Sequence, residues 1–201
     1  MLKKFNVNEV DKVAECLASG EIVAFPTDTV FGLACVFDNE QAVQRIKDAK
    51  GRDANKPLPM MCSSVMMINE VANIDTKAYK IMLNHFPGAL TVILNKKDCV
   101  PAYVTNGFKT IAIRVPNYDL ILRIIKRLGK PLLVTSANIS NEPSIREYQE
   151  VINKLGDRID AIVTEDAKSE TSSTIVDLTD GFKIVRQGEI SEDDLLNTLN
   201  K

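Results

Sequence analysis

The chain has 201 residues, with 25 Lys and Arg against 27 Asp and Glu, a formal net charge of -2. That near-neutral balance argues against a general polyanion binder, and aromatics at 5% with no Trp argue against stacking platforms for single-stranded nucleic acid. Hydrophobic residues at 45% and charged residues at 26% are ordinary globular composition, with enough chain for one large domain or two small ones. The four cysteines, Cys16, Cys35, Cys62 and Cys99, match no zinc spacing and include no CxxC. Three sit in apolar settings, which predicts buried thiols in a reducing compartment rather than disulfides. The first residues, Met1-Leu2-Lys3-Lys4-Phe5-Asn6, hold no apolar signal core, and no segment approaches the ~20 apolar residues of a membrane span. A cytoplasmic protein is expected.

In chain order, Asn8 is positioned to cap a helix whose apolar face is Val10, Val13, Cys16 and Leu17, ending at Gly20. Ile22 to Phe25 reads as a short buried strand that stops at Pro26. Thr27-Asp28-Thr29 follows, where α/β folds often place ligand contacts; the same residue types also cap turns. Asn39 starts a second helix that delivers Lys50. The stretch Lys50-Gly51-Arg52-Asp53-Ala54-Asn55-Lys56-Pro57 then places three cations within seven positions, at a break between ordered elements. Such a cluster suits a phosphate or carboxylate, or is simply a solvated loop. Leu58 to Cys62 reads as a strand, and Asp75 caps a helix ending at the only histidine, His85. A histidine at that place more often contacts the helix dipole than acts as a general base.

Leu90 to Leu94 reads as a strand, and Val100 to Lys109 as irregular. The run Thr110-Ile111-Ala112-Ile113-Arg114-Val115 buries an arginine that must meet an internal carboxylate or a ligand anion. Leu120 to Leu128 is an apolar helix closed by Gly129 and Pro131. Leu132 to Val134 is a buried strand running into Thr135-Ser136-Ala137-Asn138-Ile139-Ser140. Ser144 is placed to cap a helix through Val151 and Leu155, and Ala161 to Val163 is another strand. Residues 165 to 173 read as a mobile surface loop, 174 to 186 as a hairpin around Asp180-Gly181, and Ser191 as the cap of the last helix. Helices between most strands predict a single α/β domain, residues 1-201, with a mixed sheet; that the sheet is twisted and open is what the family resemblance given below implies.

The polar groups at strand ends are rich in cations and small hydroxyls and poor in acid/base groups. No Ser-His-Asp set is available, and neither GxGxxG nor GxxxxGK[ST] occurs. Any phosphate would therefore be held by side-chain cations and hydroxyls, in a site that works by positioning and charge neutralisation. The residues alone support a small anionic ligand.

Seven segments together resemble the threonylcarbamoyl-adenylate synthase family, also called YrdC-like. They are Phe25-Pro26-Thr27-Asp28-Thr29-Val30-Phe31-Gly32-Leu33; Lys50-Gly51-Arg52 with Lys56-Pro57-Leu58; Phe86-Pro87-Gly88-Ala89-Leu90-Thr91; Ala112-Ile113-Arg114-Val115-Pro116; Thr135-Ser136-Ala137-Asn138; Ser173-Thr174-Ile175; and Arg186-Gln187-Gly188. They occur in the family's order across about residues 8 to 190. The resemblance implies a concave, positive cavity over a YrdC-like sheet. It also implies synthesis of threonylcarbamoyl-AMP and pyrophosphate from L-threonine, bicarbonate and ATP, for modification of tRNA beside the anticodon, with hand-off to a tRNA threonylcarbamoyl-transferase complex. Carried over by position, Lys50 and Arg52 would be catalytic, and Thr27, Arg114 and Ser173 would bind L-threonine. Lys50, Arg52, Lys56, Thr110, Ser136, Asn138, Ser144 and Arg186 would bind ATP. Magnesium is implied as the companion of ATP, with no dedicated cage in the sequence. Phe31, Asp28 and Met61 depart from the family's commoner Tyr, Glu and polar residue. The alternatives are a relative that binds nucleotide or double-stranded RNA without synthase activity, and a carbamoyl-transfer module of the hydrogenase-maturation type. The latter normally carries zinc-finger cysteines, which are absent here.

Overall fold

The computed structural model describes residues 1–200 apart from 52, 54 and 170. In chain order the elements are β1 (Lys3–Phe5), α1 (Val10–Ala18), β2 (Val23–Phe25), β3 (Gly32–Val36), α2 (Glu40–Lys50), β4 (Met60–Met61), α3 (Val65–Val71), α4 (Thr76–His85), β5 (Leu90–Asn95), α5 (Ala102–Thr105), β6 (Thr110–Arg114), α6 (Asp119–Leu128), β7 (Leu132–Ser136), α7 (Tyr148–Leu155), β8 (Ala161–Val163), β9 (Thr174–Asp177), β10 (Lys183–Arg186) and α8 (Glu192–Asn200). The ten strands form one mixed sheet in the order β1-β8-β2-β3-β7-β4-β6-β5-β9-β10. Parallel pairs such as β4/β6 and β5/β9 alternate with antiparallel ones such as β3/β7 and β5/β6. This is the mixed α/β sheet that the alternation of helices and strands predicts, open as the family resemblance implies.

Each sheet face has its own core, because successive side chains of a strand point to opposite sides. One face is covered along its length: Ile22, Leu33, Met60, Val92, Ile113, Leu133 and Val176 pack with residues of α2, α3, α4, α7 and α8. The opposite face is covered over only part of its width. There α1 and α6 pack Leu17, Val13, Ile121 and Ile125 onto Val23, Phe25, Ala34, Val134 and Ala161. Met61 of β4 is the outermost strand residue of this cluster, and the candidate site lies next to it, over β6, β5 and β9.

Local signals account for most boundaries. The Asn39 side chain accepts from Ala42 N at 3.0 Å and starts α2, which ends where Gly51 takes a left-handed conformation (φ 57°) that favours glycine. Asp75 accepts from Ala78 N at 2.7 Å, and Ser191 Oγ accepts from Asp194 N at 3.1 Å. The hairpin of β9 and β10 forms as expected.

Other expectations need correction. Asn8 does not cap α1; Glu9 occupies that position, with its carboxylate turned back to Asn6 N at 2.9 Å. Ser144 does not cap α7, which begins at Tyr148. Residues 143–147 are held extended because Ile145 O accepts from Phe31 N at 2.8 Å and Arg146 O from Ala167 N at 2.9 Å. Tertiary hydrogen bonds thus override a good local cap. The regular part of the 58–62 run is only Met60–Met61, since Pro57 and Pro59 have no N–H to donate. Strands β1 and β3 and helices α3 and α5 are additions to the elements that the sequence predicts.

The expected mobile loop is instead tied down along residues 165–169. Lys168 N donates to Thr27 O at 3.1 Å and Ser169 N to Thr29 O at 2.9 Å. Tyr118 donates to Glu165, and the Lys168 ammonium lies 5.1 Å from the Tyr118 ring centroid.

All four cysteines are free, and Cys16, Cys35 and Cys62 are buried as expected. Burial pushes the Cys16 thiol up to about 11 and the Cys35 thiol up to about 12, and it raises Cys62 as well. Thiolates are the reactive form. A maleimide reagent at pH 7 is therefore expected to label one thiol of the native protein, Cys99, and four in denaturant; rapid native labelling of two or more would contradict the burial.

Candidate functional site

The cavity floor is built from cross-strand neighbours. Met61 on β4 pairs with Arg114 on β6. Thr91 on β5, one residue before the Val92↔Ile113 pair of the β5/β6 ladder, pairs with Ile175 on β9. Cross-strand partners share a face, so Met61 stands with Arg114 and Thr91 with Ile175, and all four line the cavity. The walls are the Thr27–Gly32 turn, Val134 to Ser136 of β7, and Ser172, Ser173 and Arg186. The enclosed volume is about 250 Å³.

Arg114 is 4% exposed, and its orientation is fixed from three sides. Nε donates to Gly88 O at 2.9 Å, Nη1 to Thr29 Oγ1 at 2.8 Å, and Nη2 to Asp28 Oδ2 at 2.7 Å. Of the two partners that the sequence leaves open, an internal carboxylate or a ligand anion, the structure supplies the first, Asp28. Its Oδ2 also accepts from Asn117 N at 2.8 Å, which ties the β2 exit to the β6 exit. Burial lowers the Arg114 pKa, and the Asp28 charge opposes that shift. A guanidinium has five N–H donors. Three are used, so one remains on each terminal nitrogen, the number a carboxylate's two oxygens accept.

The Thr27 hydroxyl is consumed within its own turn. It donates to Val30 O at 2.8 Å and accepts from Thr29 N at 2.9 Å. Its single proton being spent, the 3.0 Å contact with Thr29 Oγ1 is donated by Thr29. Thr27 therefore shapes the wall, while Thr29, which residue type alone does not single out, supports Arg114. Ser173 Oγ lies 2.8 Å from Thr91 Oγ1 and accepts from Arg186 Nη2 at 3.2 Å. Arg186 also clamps Ser173 O through Nε at 3.0 Å and Nη2 at 2.8 Å. Gly188 makes this clamp possible: a Cβ there would lie 2.4 Å from both Ser172 O and Thr174 N.

Lys50 is 1% exposed and sits behind the wall. Its ammonium donates to Ser136 O, to Asn138 O at 2.6 Å and to Asn138 Oδ1 at 3.3 Å. Asn138 Nδ2 donates onward to Ile139 O and Glu142 O. Lys50 and Asn138 thus brace the loop that presents Ser136. Of the sequence-derived candidates, Thr27, Arg114, Ser136, Ser173 and Arg186 line the cavity. Thr110 does not: it begins β6, four residues from Arg114 and ~13 Å along the strand. Lys56 is exposed on the 51–59 segment, Ser144 lies in the extended 143–147 run, and Arg52 falls outside the described residues. Among the described residues no group of three His, Cys, Asp or Glu side chains is placed to hold a metal. His85 is remote, with Nε2 2.8 Å from Thr198 Oγ1 on α8.

Among the described residues the site is thus a buried cation facing a small cavity on a mixed α/β sheet, with hydroxyls around it and no acid/base pair lining it. Residues 15–188 match the Sua5/YciO/YrdC family profile, whose description reads telomere recombination. The chain belongs to this family. It is 34% identical over 194 residues to the threonylcarbamoyl-AMP synthase of Bacillus subtilis, covering 94% of this chain and 56% of that protein. It is 30% identical over 188 residues to the threonylcarbamoyl-AMP synthase of Photobacterium profundum, covering 90% of this chain and all of that one. The structure of Pyrococcus abyssi Sua5 complexed with L-threonine superposes with a TM-score of 0.92 at 29% identity, covering 98% of this chain and 60% of that one. The chain spans about half the length of the Bacillus relative and of a Pyrococcus abyssi synthase (56% and 49%).

Removing one partner of a buried ion pair leaves the other charge uncompensated, at about 3–5 kcal/mol. Asp28→Ala is expected to lower unfolding stability by about that amount in urea melts, against ~1 kcal/mol or less for removing Asp11 from its exposed pair with Arg127. Equal effects would contradict the assigned role of Asp28.

Proposed function

We propose that this protein is an L-threonylcarbamoyladenylate synthase, a nucleotidyltransferase that joins L-threonine, bicarbonate and ATP into threonylcarbamoyl-AMP and pyrophosphate. The observation that carries the reading is the buried, pre-oriented Arg114 with two unused N–H donors in a cavity of about 250 Å³. That volume falls below the ~300–1,000 Å³ of drug-sized ligand sites and suits an amino acid rather than a whole nucleotide. The names of the relatives supply the amino acid and the product.

In this reading the threonine carboxylate lies on the Arg114 fork, which leaves the amine toward the open side. Bicarbonate gives up hydroxide to become carbon dioxide, the deprotonated amine attacks the carbon of carbon dioxide to form an N-carboxylate, and the proton that the nitrogen sheds leaves with the hydroxide as water. A carbamate oxygen then attacks the α-phosphorus of ATP in line, the bond to the bridging oxygen breaks, and pyrophosphate leaves with the electron pair. No side chain lining the cavity is an evident general base, so orientation is the main contribution of the protein. ATP lies across the cavity mouth, along Ser136 and toward Lys56, which meets the phosphates; Arg52 keeps the catalytic and ATP-binding role that the family resemblance implies. Lys50 acts on this side through the Ser136–Asn138 loop that it braces. Magnesium enters with ATP as part of the substrate. The product passes to a tRNA threonylcarbamoyl-transferase complex for modification beside the anticodon, in the cytoplasm. Among the described residues no helix is long and apolar enough to cross a membrane.

The test is pyrophosphate release from ATP and bicarbonate, with and without L-threonine. Threonine-dependent release is expected. Arg114→Lys, which keeps a cation but loses the fork, is expected to raise the threonine KM about tenfold or more and leave ATP binding nearly unchanged. ATP or RNA binding without threonine-dependent release would overturn the synthase reading in favour of a nucleotide- or RNA-binding relative.

A further inference from the structure

The Thr27–Thr29 turn, which holds Arg114, is gripped from two sides. On one side Asn117 N donates to Asp28 Oδ2 at 2.8 Å. On the other, Lys168 N donates to Thr27 O at 3.1 Å and Ser169 N to Thr29 O at 2.9 Å. Tyr118 joins the two grips. Its backbone follows Asn117 and opens α6, where its carbonyl accepts from Ile121 N at 3.1 Å and Leu122 N at 3.2 Å. Its side chain is buried, with the hydroxyl donating to Glu165 Oε1 and the ring face carrying the Lys168 ammonium. Burial and the Glu165 carboxylate both push the Tyr118 hydroxyl up, so it stays a donor at neutral pH. The contacts close a ring through Asp28, Asn117, Tyr118, Glu165, Lys168 and Thr27.

The 165–169 segment has other anchors that serve the fold. Ala167 N donates to Arg146 O at 2.9 Å, and Asp166 Oδ1 accepts from Tyr148 N at 3.1 Å. These tie the middle of the segment to the start of α7. What Tyr118 adds is a tie to the opposite grip, so that the donors to Thr27 O and Thr29 O keep their place relative to the donor to Asp28. The turn then cannot slide, and its Asp28 carboxylate and Thr29 hydroxyl keep the guanidinium in one orientation. We infer that Tyr118 is a positioning residue of the reaction, acting through Glu165 and Lys168 on the Thr27–Thr29 turn and through that turn on the aim of Arg114. The inference rests on the synthase reading and deepens it. A group placed about 1 Å off can cost up to ~100-fold in rate, so a side chain that touches no substrate carries weight here. Its weight falls on the amino acid, because ATP lies toward Ser136 and Lys56.

The experiment is steady-state pyrophosphate release by the full chain as wild type, Tyr118→Phe, Glu165→Ala, the double variant and Asp75→Ala. Tyr118→Phe keeps the ring and its contact with Lys168 and removes only the hydroxyl. It is expected to raise the threonine KM about three- to tenfold while the ATP KM stays within about twofold of the wild type. Glu165→Ala is expected to act in the same direction, and the double variant to be no worse than the larger single one, because residues that act through one contact are not additive. Asp75→Ala removes the cap of α4 and with it some stability, and is expected to leave the threonine KM unchanged. That control separates positioning from a loss of stability. An unchanged threonine KM in folded Tyr118→Phe overturns the inference, as does an equal rise in both KM values or a double variant whose effect is the product of the two single ones. Glu165→Ala carries the test by itself if Tyr118→Phe does not fold. A wild type without threonine-dependent release overturns the synthase reading itself, and this inference with it.

Discussion

The buried ion pair of Arg114 with Asp28 is the constraint around which the site is arranged. An arginine on a central strand, 4% exposed, is tolerated only if its charge is met. Asp28 meets it with one oxygen, Thr29 and Gly88 take two further donors, and Asn117 N anchors the carboxylate. These contacts draw the β2 exit, the 86–89 turn and the β6 exit to one point. They also determine which guanidinium edge remains for a ligand. Stability and recognition therefore depend on the same contacts: the carboxylate that offsets the buried charge also aims the fork.

The second constraint is the uneven covering of the sheet. Helices α1 and α6 seal only the half of one face nearest β8, β2 and β3. The cluster they form reaches as far as Met61 of β4 and includes no strand residue of β6, β5 or β9, where Arg114, Thr91 and Ile175 of the same face line the cavity. Arg114 and Thr91 stand where two core residues would otherwise be. The 165–169 segment closes one side of this gap through backbone bonds to Thr27 and Thr29. The Arg186 clamp on Ser173 closes another, at a spacing only glycine at 188 permits. The cavity is thus a consequence of topology, lined by hydroxyls and guanidinium groups.

Much of this is legible in the residues. The alternation of helical and extended patterns predicts a mixed α/β sheet, and an arginine inside an apolar strand predicts an internal carboxylate or a ligand anion as its partner. Asn39, Asp75 and Ser191 cap where they are expected, because caps depend on local chemistry. The failures are non-local. Ser144 has the right type and spacing for a cap, yet its segment is held extended by Phe31 and Ala167, distant in sequence. Thr91 sits in a quoted motif but comes to line the cavity only through the pairing of β5 with β9, which no short window contains. Thr27 and Lys50 are polar residues at the expected place whose donors turn inward, to Val30 O in one case and to Ser136 and Asn138 carbonyls in the other. Residue type reveals that a group can bind a ligand, while only the fold reveals whether its protons are already spent.

The central claim, that Arg114 is held ready to take a carboxylate with two N–H donors, is tested most directly by titrating L-threonine against L-threoninol, in which the carboxylate is reduced to a hydroxymethyl group and all else is kept. Two charge-assisted hydrogen bonds separate these ligands. The account predicts that threonine binds at least roughly 100-fold more tightly than threoninol, and that the gap shrinks when Asp28 is replaced by alanine and the fork loses its aim. Equal binding of the two ligands by the intact protein would contradict it.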